Sequence, residues 1–267
     1  TYFIDAISSS SWLNALLINH RVSWCLTNAN NDLRVHLISK LSQLSDRFPK
    51  DIENILLQFS SHLNPAEIHW IVLRMSGQPS TNVMDLLINT FKSIPTDDEY
   101  SPDDLYKLIV RRDPKKGIDL LFSRIEDRIE SENWEATSLK HDIPNYWEIK
   151  AISNCLRDSS LQKTVLSKSL RAILKIIEKT KFDESPFYRD RGFYSIENFE
   201  SNLYQHWAWF TEIKASLCEL VKTNSDIVKE IIDPYTQTLS HTVVSLLLQV
   251  YSNNVPVFID EIFKLAL

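Results

Sequence analysis

Apolar residues recur along this chain at steps of three and four, and turn signals break the rhythm at short intervals. Ile55, Leu56 and Phe59 follow Phe48-Pro49-Lys50-Asp51-Ile52, and Ile71, Val72 and Met75 follow Asn64-Pro65-Ala66-Glu67-Ile68. Leu108 and Ile109 follow Ser101-Pro102-Asp103-Asp104-Leu105. Asp113-Pro114 opens a longer run carrying Ile118, Leu121, Phe122, Ile125 and Ile129. Each is a polar cap or first-turn proline, then acids, then aliphatics at helical spacing, the signature of a helix start. Asn224-Ser225-Asp226-Ile227 and Val255-Pro256-Val257-Phe258 repeat it near the end. No segment alternates with period two over the length of a strand.

The pattern predicts helices near 9–20, 30–47, 49–61, 65–75, 81–94, 102–111, 114–131, 145–158, 160–181, 195–222, 224–232, 236–252 and 255–267. Short connectors make neighbouring helices antiparallel. The fold class expected is therefore all-α: irregular stacked antiparallel helix pairs of the HEAT or TPR-like α-solenoid type, with an irregular helical bundle as the alternative. Residues 1–267 read as one helical-repeat segment. Long connectors interrupt it near 132–144 and 182–194.

Composition supports this class. The three glycines, Gly77, Gly117 and Gly192, fall far below the roughly 7% of average usage. β-Turns and phosphate-cradling loops need glycine, and helix pairs need little. A Walker-type loop, a Rossmann fingerprint and the glycine-flanked serine of an α/β-hydrolase are all excluded. The net charge of −6 gives no general attraction for nucleic acid. Cys25, Cys155 and Cys218 lie far apart and form no C-x-x-C pair, so free buried thiols in a reducing compartment are expected. No run of about 20 apolar residues is present. The expectation is a cytoplasmic chain with no membrane partner. It starts at Thr-Tyr-Phe-Ile and stops in helical rhythm at Phe263-Lys264-Leu265-Ala266-Leu267, and so reads as a segment of a longer polypeptide.

Three groups of residues carry candidate chemistry. Lys168, Arg171, Lys175 and Lys179 recur at three- and four-residue steps opposite Val165, Leu166, Leu170, Ile173, Leu174 and Ile177. That spacing puts the cations on one helix face, either a basic strip for phosphates or an acidic protein, or a solvated face. Phe187, Tyr188, Arg189, Arg191, Phe193 and Tyr194 stand in an aromatic and charged loop and match the residue types enriched in binding hot spots. His141-Asp142, with His62 and His69 as possible further ligands, is the pair type of metal-dependent phosphohydrolases. There the pair sits on a helix, whereas Ile143-Pro144 implies a loop, so no metal, cofactor or catalytic residue is assigned.

The stretch Asp119-Leu120-Leu121-Phe122-Ser123-Arg124-Ile125-Glu126-Asp127-Arg128-Ile129-Glu130, followed after a gap by Ile143-Pro144 and by the aliphatic helix Leu170 to Ile177, resembles the helical-repeat regions of large bacterial STAND-type antiviral NTPases. The resemblance covers about the middle third of the chain and contains no catalytic residue. It implies a modular protein with an effector, an ATPase core and a helical C-terminal sensor. The chain would then be the non-catalytic recognition or regulatory part. Its partner would be a protein or other domains of the same polypeptide. A generic structural scaffold and a phosphohydrolase centred on His141 and Asp142 are the alternatives.

Overall fold

The computed structural model describes residues 8–18, 20–27, 31–91, 108–110, 112–131, 143–181, 205–238 and 240–266. The described residues are helical apart from turns and isolated bridge positions at Lys181 and Ser240, so the all-α class is correct. No described helix is long and apolar enough to cross a membrane. The packing divides the chain into two compact units, Thr1–Asp113 and Pro114–Leu267.

The first unit contains α1 (Ser10–Ile18), α2 (Arg21–Thr27), α3 (Asn31–Leu44), α4 (Pro49–Phe59), a 3-10 turn (Ser60–His62), α5 (Pro65–Val72) and α6 (Thr81–Phe91). Proline-led starts explain α4 and α5. Pro49 and Pro65 occupy the first turn, where a missing N–H costs nothing. At α5, Asn64 Oδ1 accepts from the Glu67 backbone N–H at 2.9 Å, and Glu67 Oε2 accepts from the Asn64 N–H at 2.8 Å, a reciprocal capping box. Ile52, Ile55 and Leu56 of α4 lie in the core with Leu37, Ile38 and Leu41 of α3 and Ile68 and Ile71 of α5. Fully burying each such side chain contributes about 1.5–3 kcal/mol.

The helix α2 falls between the predicted segments 9–20 and 30–47 and was missed. It carries no proline or acid at its start and buries only Val22 and Leu26. The chain enters it through a left-handed residue, His20, at φ 56°.

The second unit contains α7 (Pro114–Ser131), α8 (Tyr146–Leu156), α9 (Ser159–Lys179), α10 (Gln205–Thr223), α11 (Ser225–Ile232), a 3-10 turn (Asp233–Tyr235), α12 (His241–Ser252) and α13 (Val255–Ala266). Asn145 caps α8, Asp158 caps α9 by accepting from the Ser160 N–H, and Asn224 caps α11. The segment expected to be helical from 236 turns first, with Thr236 and Thr238 donating to Asp233 and Tyr235 carbonyls, and helix begins at His241. The core holds Ile118, Leu121, Phe122 and Ile125 of α7, Val165, Leu166, Ile173 and Ile177 of α9, and Trp209, Ile213 and Leu217 of α10.

The principal packings within each unit join helices close in sequence. In the first, α1 packs on α2, α2 on α3, α3 on α4 and α5, α4 on α1 and α6, and α5 on α6. In the second, α7 packs on α9, α8 on α9 and α10, α9 on α10 and α11, α10 on α11 and α12, and α12 on α13. Among the described helices there, no principal packing skips more than one intervening described helix.

Candidate functional site

Helix α7 concentrates the charge chemistry of the described residues because its sequence writes two charged faces at helical spacing. Asp119, Glu126 and Glu130 turn toward α9, whose Lys168, Arg171, Lys175 and Lys179 form the predicted cation row. Lys168 Nζ lies 2.9 Å from Asp119 Oδ1 and Arg171 Nε 3.6 Å from Glu126 Oε1. Lys175 Nζ donates to Glu126 Oε2 at 2.8 Å and lies 3.6 Å from Glu130 Oε1. Lys179 Nζ reaches Glu130 Oε2 at 2.8 Å. All four cations therefore have a carboxylate partner on the helix packed against theirs. The hydrogen bond from Lys175 to Glu126 raises the lysine pKa, and the bond from Lys179 lowers that of Glu130. A phosphate approaching this row would have to compete with carboxylates already in place. The row is thus an interhelical ion-pair ladder, with Arg171 two-thirds exposed and Lys175 the most covered of the four.

The other charged face of α7 meets the first turn of α8. Glu148 is fully buried and does two jobs. Its Oε2 accepts from the Asn145 N–H at 2.8 Å, while Asn145 Oδ1 accepts from the Glu148 N–H at 3.0 Å, closing the capping box. The same Oε2 accepts from Arg128 Nη1 at 2.7 Å, and Arg124 Nε stands 3.9 Å from Oε1. The Arg124 guanidinium lies 5.7 Å from the centre of the Trp147 ring, within cation–π range. Burial pushes the Glu148 carboxyl above its ordinary pKa, opposed by Arg128, the Asn145 N–H and Arg124. Burial likewise lowers the pKa of Arg124. The sequence reading missed this cluster. Its signal was Asn145-x-x-Glu148 just before an apolar run, with Arg124 and Arg128 one turn apart upstream.

The first unit has a smaller polar node. Arg34 forks onto Glu67, with Nε–Oε1 at 2.8 Å and Nη2–Oε2 at 2.7 Å, and also donates to the Leu26 and His62 carbonyls. One guanidinium thus satisfies the end of α2, the 3-10 turn and the capping acid of α5.

The candidate metal ligands are not brought together among the described residues. His69 is completely buried on α5, with Nε2 3.3 Å from Thr90 Oγ1, and burial lowers its pKa to about 4. His62 is exposed beside Ser61. His141 and Asp142 lie outside the described residues. Among the described residues, no group of three or more His, Cys, Asp or Glu side chains is placed to hold a metal ion. Cys155 is buried, Cys25 and Cys218 are half-buried, and none of the three is in a disulfide. An apolar void of about 10 Å³, with room for about one water molecule, is lined by Leu170, Ile173, Phe210, Ile232 and Leu247.

The predicted partner-binding residues Phe187, Tyr188, Arg189, Arg191, Phe193 and Tyr194 lie outside the described residues. The exposed large apolar side chains that are described stand elsewhere. Trp12, Trp24 and Trp70 are half-exposed in the first unit, and Tyr146, Val255, Ile259 and Phe263 are exposed in the second. Comparison with protein-family models, with curated proteins and with solved structures finds no match for this chain.

Proposed function

We propose that this chain is a non-catalytic helical recognition or regulatory segment, made of stacked helix pairs, that binds a protein partner or other domains of its own polypeptide. The observation that carries the reading is the order of packing. Among the described helices of the second unit, every principal packing joins helices one or two places apart in sequence. That is the pattern expected of stacked pairs, in which each repeat buries its apolar face only against its neighbours. Such stacks leave side chains along an extended surface, and half-exposed tryptophans are of the type enriched where partners dock. The pairing of Lys168, Arg171, Lys175 and Lys179 with α7 carboxylates favours a protein partner over a nucleic acid.

The resemblance of Asp119 to Glu130 to STAND-type antiviral NTPases narrows the proposal. The segment is then the sensor portion of an antiphage defence protein, with nucleotide hydrolysis and effector activity located outside it. Contact residues are proposed at Phe187, Tyr188, Arg189, Arg191, Phe193 and Tyr194.

The test compares a tagged wild-type chain with the triple variant Phe187→Ala, Tyr188→Ala, Arg191→Ala in quantitative pull-downs, with thermal melts alongside. Loss of a specific protein partner at unchanged melting temperature is the expected outcome. A collapse of the melting temperature would place those side chains in a core instead. Equal recovery of every protein by both chains would remove the proposed contact site and favour a scaffold.

A further inference from the structure

We draw no further inference here: the strongest candidate, the exposed apolar strip of Val255, Ile259 and Phe263 along α13, carries nothing because nothing in the structure shows what covers it.

Discussion

The two charged faces of α7 use the same chemistry under opposite conditions. Toward α9, Asp119, Glu126 and Glu130 meet four cations at a wet surface, where Glu130 is half-exposed and Arg171 two-thirds exposed. Toward α8, Arg124 and Arg128 meet one carboxylate with no solvent exposure. The ladder has more ion pairs, yet burial predicts that the clasp at Glu148 matters more to folding. Exposed pairs gain little because water already solvates both charges and salt screens them. A buried carboxylate has lost that solvation, so removing it takes from Arg124 and Arg128 the carboxylate they share and also opens a helix cap. The number of ion pairs is therefore a poor guide to what holds the second unit together.

The largest effect expected from breaking this contrast is at Glu148. Glu148→Ala should destabilise the chain by about 3–5 kcal/mol, the usual consequence of stranding buried charge, with loss of the α8 cap included. Urea melts followed by circular dichroism would measure it. A loss below about 1 kcal/mol would mean that the two arginines re-solvate freely.

A second prediction sharpens the role of burial by using His69, an ionisable group fully buried in the first unit. His69 is held neutral in the fold, with its pKa lowered to about 4 from an unfolded value of 6.5. Between those values the unfolded state binds the extra proton, so the stability His69 confers is complete above pH 6.5 and falls as pH drops toward 4. The loss at pH 5 should be about 2 kcal/mol, from 1.36 kcal/mol for each pH unit below 6.5. His69→Gln should flatten that part of the stability–pH curve relative to wild type. Parallel curves for the two proteins would show that other groups set the acid sensitivity.

The smallest effect belongs to the ladder. Lys175→Ala should cost under about 1 kcal/mol, and the difference from wild type should shrink as salt rises from 50 mM to 1 M.

The sequence made much of this fold legible, but unevenly. Helices opened by Pro49, Pro65 and Pro114 were placed within a few residues, because proline and its flanking acids fix a start through backbone chemistry alone. The helix α2 was illegible. Its seven residues bury only Val22 and Leu26, and its entry depends on a left-handed turn placed on His20 itself rather than on a glycine. The cations of α9 fall on one face by spacing alone, but their pairing with the acids of α7 depends on which helix packs on which. Glu148 was hidden for a related reason. Its capping box is local and readable, whereas its burial against Arg124 and Arg128 is a tertiary fact. The loop from Phe187 to Tyr194 rests on its residue types alone.

The most direct measurement is a side-by-side urea titration of wild type, Glu148→Ala and Lys175→Ala at 50 mM and at 1 M salt. The predicted result is a large, nearly salt-independent loss for Glu148→Ala and a small loss for Lys175→Ala that fades at high salt. A Lys175→Ala loss equal to or greater than that of Glu148→Ala at either salt concentration would contradict the account. The ladder, not the buried clasp, would then be what secures the second unit.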